Sequence, residues 1–310
     1  MTALTLHIGT HKTGSTAIQR SLERSTGLAE GILFPKSGRM PGGGHLNLAW
    51  ETAGDSRFRA ERGGTADLIA EIRTARPTHV LLSAETWTTR PGEHLHAEWA
   101  SKLAQQIGAH SVHIVAYVRP QWQYLESVYT QQIKMGFISD SFRDFLDRYV
   151  AHPRFEYELV FQPWFDRFDV QIEPYGSEVV AHFWALAGLG SPPQTERANE
   201  RPGAKELEMI RCFSRQIPRD QRQPKLRAVR RWLRPRIESD TPYSGLTMEL
   251  VHIIHERFCV GNRAFAEAVW GDSDPPVFQP PEQVHTNTWT LSAASPEERQ
   301  LFEELIRRFT

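Results

Sequence analysis

Taken by its apolar positions alone, the chain alternates short β-compatible runs with amphipathic stretches. Leu4 to Ile8 is a brief apolar run ending on Gly9, and the spacing of Ile18 and Leu22 beyond it predicts a helix. The alternation returns as a helical stretch near Ala66 to Ala75, a strand at His79 to Ser83, a helix near Glu98 to Ile107 and a strand at Ser111 to Val118. A helix from about Gln121 to Lys134 follows, then a helix near Leu159 to Phe168 and a strand at Val170 to Pro174. Such alternation predicts an α/β fold with a mainly parallel sheet flanked by helices. From about Gly176 the pattern turns largely helical, with candidates at Glu178 to Ala187, Ala204 to Arg215, Leu246 to Val269 and Pro296 to Phe309. Pro-rich connectors separate them, SPPQ from Ser191 and DPPVFQPPEQ from Asp274 to Gln283. No long flexible linker divides the chain, which predicts one domain over 1–310, with a core sheet over about 1–190 and a helical extension and tail over about 191–310.

Composition narrows the function classes. The 310 residues are 40% hydrophobic and 24% charged, enough for one substantial core. A formal net charge of -1 provides no global field for nucleic acid or an anionic membrane, so any anion site must be local. Two cysteines, Cys212 and Cys259, cannot form a disulfide framework and read as two buried thiols in a reducing compartment. The apolar stretch at the N-terminus is too short for a signal-peptide core. The longest one elsewhere, Val179 to Leu189, is interrupted by His182 and falls below the roughly 18 residues of a membrane span. The expectation is a cytoplasmic protein without a membrane span.

Candidate chemistry centres on Gly9 to Thr16, GTHKTGST, between the first strand and the first helix. It has the two glycines and terminal hydroxyl of a P-loop, but Ser15 stands where the lysine belongs and Lys12 lies three positions earlier. A Gly-rich turn from a buried strand into a helix aims backbone N–H groups and the helix dipole at one spot, which suits a phosphate or sulfate. The displaced Lys12 would act on the loop's outer side. Further along, YVRPQWQYLESVY places Arg119 after a strand and Ser127 eight positions on in the next helix, where a guanidinium and a hydroxyl can grip one phosphate from two sides.

The segment HIGTHKTGSTAIQ resembles the 5′-phosphosulfate-binding loop of sulfotransferases that use 3′-phosphoadenosine 5′-phosphosulfate (PAPS), and the Arg119/Ser127 pair resembles the second half of that family's signature. The stretches PWFDRFDVQIEPYGS and FCVGNRAFAEAVWG resemble bacterial members of it. The resemblance implies a P-loop-type sheet in which Lys12 contacts the bridging oxygen between phosphate and sulfuryl group. Thr13, Gly14, Ser15 and Thr16 would hold the 5′-phosphate, and Arg119 and Ser127 the 3′-phosphate. It further implies metal-independent in-line transfer to an acceptor hydroxyl of a glycan or other small alcohol. Two residues compete as the acceptor's base: Glu85, just past the strand His79 to Ser83, and His45, in the glycine run PGGGH. Asn262 and Arg263 would either hold the nucleotide or cap a turn, and His11 would either touch the nucleotide or pack under the loop.

Other signals point less far. Arg227, Arg230, Arg231 and Arg234 have helical spacing, which suits an acidic glycan, a lid or a solvated face. His252 and His255 lack a third metal ligand, and Trp87, Trp122 and Trp164 read as packing. Two alternatives stay open: a nucleotide kinase or hydrolase with a degenerate loop, and a non-catalytic nucleotide-binding relative.

Overall fold

A computed structural model describes residues 2–25, 28, 30–193 and 201–310. Gln194 of the SPPQ connector lies outside them. In chain order the elements are β1 (Thr2–Gly9), α1 (Ser15–Arg24), β2 (Ile32–Leu33), α2 (Leu46–Thr52), α3 (Thr65–Ala75), β3 (His79–Ser83), α4 (Leu95–Ile107) and β4 (Ala109–Val118). There follow α5 (Gln121–Lys134), α6 (Phe142–Tyr149), α7 (Tyr157–Phe165), β5 (Val170–Pro174), α8 (Val179–Leu186), α9 (Ala204–Arg215), α10 (Arg219–Leu233), α11 (Met248–Trp270) and α12 (Pro296–Phe309). No helix among the described residues is long and apolar enough to cross a membrane.

The chain forms two compact units. The first comprises Met1–Arg119, Pro153–Ala198 and Cys259–Phe278, and the second Pro120–His152, Asn199–Phe258 and Gln279–Thr310. The first holds an all-parallel sheet in the order β2-β3-β1-β4-β5. β1 lies at its centre, with Leu6 opposite Leu82 on one side and Ile114 on the other. A strand with neighbours on both edges and cover on both faces must be apolar nearly throughout, and Leu4, Leu6 and Ile8 are fully buried. Ile18 and Leu22 of α1 pack with Leu81, Val115, Tyr117, Val179 and Phe183. Each such side chain contributes roughly 1.5–3 kcal/mol on burial. The Trp184 indole N–H donates to Ser21 Oγ at 2.8 Å, which joins α8 to α1.

In the second unit α5 packs on α6 and α9, and α10 on α9 and α12. Its core includes the rings of Tyr129, Phe142, Phe145 and Tyr243. Buried Glu206 of α9 pairs with Arg230 at 3.3 Å and Arg234 at 2.9 Å, so these two members of the basic run serve an internal ion pair, while Arg227 and Arg231 face solvent. Cys212 and Cys259 are not joined in a disulfide, and both are half-buried. Asn262 and Arg263 lie in mid-helix on α11, where there is no turn to cap. Trp87, Trp122 and Trp164 are all buried. His252 is exposed, and among the described residues no three His, Cys, Asp or Glu side chains converge as metal ligands.

Candidate functional site

Because every strand of the sheet runs the same way, the carboxyl ends of β3, β1 and β4 share one edge. The chain leaves β1 toward β2 and β3 on one side, and leaves β4 toward β5 on the other. Connections that diverge in this way open a crevice between β1 and β4, where open α/β sheets place their ligands.

The loop after β1 lines this crevice. Thr10 anchors it to β4, its N–H and hydroxyl both donating to the Tyr117 carbonyl at 3.1 and 3.0 Å. The Thr13 hydroxyl donates to the Thr10 carbonyl at 2.6 Å, and the Ser15 hydroxyl leans on the same oxygen at 3.4 Å. These two hydroxyls therefore shape the loop, and what both residues offer a ligand is the main chain. Lys12 (φ 69°) and Gly14 (φ 81°) adopt left-handed conformations that curl the backbone into a concave nest. The N–H groups of Thr13, Gly14, Ser15 and Thr16 donate to no group among the described residues, and the Thr16 hydroxyl bonds none either. Among the described residues no side chain caps α1, and no acid of its own first turn offsets the positive end of the helix. A Cβ on Gly14 would sit 2.7 Å from Val179 Cγ1, so this position needs glycine for space as well as for conformation.

Arg119 follows β4 on the other side of the crevice and is 7% exposed. Its Nη1 donates to the Lys12 carbonyl at 2.9 Å, and its guanidinium lies 5.2 Å from the Tyr175 ring centre. The Tyr157 hydroxyl donates to the Arg119 carbonyl. That hydrogen bond and the Tyr175 face hold the cation beside the loop. Ser127 lies on α5, partly buried, in the second unit.

Glu85 begins a short 3₁₀ turn, Glu85–Thr88, directly after β3. A Cβ on Gly9 would come within 3.0 Å of Glu85 Cα, so the glycine lets the carboxylate-bearing turn lie against the start of the loop. Glu85 Oε2 accepts a hydrogen bond from Gln19 Nε2 of α1 at 2.9 Å.

His45 is a different case. The structure buries it completely, with Nε2 3.1 Å from the Pro35 carbonyl and Nδ1 accepting the Ser83 N–H at 3.2 Å. Burial pulls its pKa down to about 4. With both ring nitrogens engaged, it has no lone pair for an acceptor's proton, and its role is to brace the loop 35–45 against β3. The half-buried His11 is likewise depressed, to about 3, by burial and then by Arg154, Lys12 and Arg57.

Sequence reasoning missed Gln19 and Tyr175. Gln19 carried one signal: it is a polar residue directly after Ile18, on the side of α1 that faces the sheet.

The fold and site define an α/β protein whose parallel sheet reverses its strand order between β1 and β4, with a glycine-containing strand-to-helix loop at that point. No protein-family model and no curated protein matches the chain.

Proposed function

We propose that the chain is a PAPS-dependent sulfotransferase of the P-loop type, moving a sulfuryl group to the hydroxyl of a glycan or other small alcohol. The observation that carries this reading is the loop itself, in which four consecutive N–H groups, those of Thr13 to Thr16, find no acceptor among the described residues and follow directly on Lys12, two positions before the second glycine. Two cations flank that nest, Lys12 within it and Arg119 on the neighbouring strand end. The donor substrate supplies an activated sulfuryl group. The N–H groups of Thr13 to Thr16 bind its 5′-phosphate, and Arg119 its 3′-phosphate. Lys12 neutralises the charge that grows on the leaving phosphate oxygen. Glu85 takes the proton of the acceptor hydroxyl as the new O–S bond forms and the bond from sulfur to the phosphate oxygen breaks. Charge and protons balance without a metal: the leaving group departs as adenosine 3′,5′-bisphosphate. A cytoplasmic location belongs to the same reading, since two cysteines not joined in a disulfide suit a reducing compartment.

Isothermal titration calorimetry with adenosine 3′,5′-bisphosphate in the absence of metal, run beside ATP with Mg²⁺, tests the reading. We expect the bisphosphate to bind and Arg119→Ala to weaken it by about 30-fold or more, as loss of a charge-assisted contact in a dry site requires. Preferential binding of ATP with Mg²⁺ would make the protein a kinase or hydrolase. Bisphosphate binding without sulfuryl transfer to any of a panel of glycans and alcohols would make it a binding relative.

A further inference from the structure

Gln19 is a buried amide, 3% exposed, in the middle of α1. Its Nε2 donates to two acceptors, Glu85 Oε2 at 2.9 Å and Ser83 Oγ at 3.2 Å. The orientation of the amide is fixed by chemistry. A carboxylate only accepts, so a flipped amide would set oxygen against oxygen. Ser83 Oγ in turn lies 2.8 Å from His7 Nδ1. Burial holds the His7 imidazole neutral, with a pKa near 3. His7, Ser83, Gln19 and Glu85 thus form one hydrogen-bonded chain running from the centre of the sheet to the carboxylate beside the loop.

A second observation shows that Gln19 is clamped. Gly43 and Gly44 lie directly on it: a Cβ at Gly43 would stand 2.7 Å from the Gln19 carbonyl oxygen, and one at Gly44 2.8 Å from Gln19 Cδ and Nε2. The run PGGGH is therefore no slack loop. Its glycines let the main chain pass against the Gln19 amide, and the His45 N–H, donating to the Ser83 carbonyl at 2.7 Å, fastens the run to the same strand end.

We propose that Gln19, held by Ser83 and by the glycines 43 and 44, is the positioning residue of Glu85 and fixes the direction from which that carboxylate meets the acceptor hydroxyl. This rests on the sulfotransferase reading of the site. A misplacement of about 1 Å in a reacting group costs on the order of 100-fold in rate. Loss of the amide should fall on kcat and leave donor affinity alone.

The experiment is a double-mutant cycle on sulfuryl transfer, with bisphosphate binding measured on every variant. Gln19→Leu should lower kcat at least about tenfold, with the KM for donor and the bisphosphate affinity unchanged. In the Glu85→Gln background, where no base remains to be aimed, Gln19→Leu should have no further effect. Gly44→Ala, which presses on the amide without removing it, should shift kcat in the same direction by a smaller factor and guards against a Leu variant that fails to fold. Equal losses from Gln19→Leu in both backgrounds, or a loss expressed in donor binding, would overturn the inference while leaving the sulfotransferase reading intact. A wild-type protein that neither binds the bisphosphate nor transfers sulfuryl groups would overturn both.

Discussion

Gly14→Ala tests the loop through two separate costs. Alanine at φ 81° must adopt the left-handed conformation, which costs about 1–2 kcal/mol. Its Cβ would then stand 2.7 Å from Val179 Cγ1 and 3.1 Å from Tyr175 Cε2, where ordinary contact begins at 3.4 Å. Val179 is buried on α8 and β-branched, so it cannot swing aside cheaply, and overpacking of this kind costs roughly 1–3 kcal/mol. Together the substitution should cost about 2–5 kcal/mol. Gly42→Ala is the control: φ there is 104°, but nothing lies within 4 Å of the added carbon, so only the conformational part applies. Urea denaturation followed by tryptophan fluorescence should separate the two variants by about 1–3 kcal/mol, the steric part alone. Bisphosphate affinity should fall in Gly14→Ala and hold in Gly42→Ala, because only the first displaces the N–H groups. Equal stability losses in the two variants would refute the argument that α8 is packed against the floor of the loop.

Further outcomes follow from other parts of the molecule. Lys12→Ala should reduce turnover by on the order of 100- to 1,000-fold while bisphosphate binding persists, since the ammonium acts on charge that develops late; near-normal turnover would sink that role. His7 and His45 are buried neutral, with pKa values near 3 and 4 against 6.5 unfolded, so below pH 6.5 the unfolded chain binds protons that the folded one refuses. Stability should therefore fall with decreasing pH from 6.5 toward 4, by up to about 1.4 kcal/mol per unit for each, and His45→Gln should flatten the slope measured in urea titrations between those values. If the slope is the same with and without the imidazole, His45 is not buried neutral. In the second unit, Glu206→Gln leaves Arg230 and Arg234 without their shared carboxylate. The arginines are 27% and 46% exposed, so a cost of roughly 1–3 kcal/mol is expected in chemical denaturation, below that of a fully buried pair, and a change under about 0.5 kcal/mol would count against the pair.

Five elements match the sequence pattern to the residue, β3, α5, β5, α9 and α12. In α12, Ser295 accepts the Glu298 N–H and Glu298 reaches back to the Ser295 N–H, a reciprocal cap written in the sequence itself. The same box stands at Ser141 and Asp144, but α6 is only eight residues long, too short for its periodicity to mark it as a helix. β2 has two residues and no periodicity to detect, and α2 follows three glycines with no capping side chain. These elements exist because the rest of the fold holds them.

The site divides along the same line. The loop and Arg119 could be placed from sequence because each is set by the strand that precedes it. The neighbours that give them direction could not: Gln19 and Glu85 are 66 positions apart, and Ser83 and His45 are 38 apart. His45 shows the physical reason. Beside three glycines a histidine looks mobile and available, yet two of those glycines are there to let the backbone close over Gln19, and that closure carries the imidazole into the interior, where the Pro35 carbonyl and the Ser83 N–H take up its nitrogens. Glycine run and histidine belong to one packing arrangement, whose purpose is visible only once β3 lies beside β1. Of the two candidate bases, burial removes the one with the suitable intrinsic pKa and leaves the carboxylate, held by an amide whose position depends on that burial.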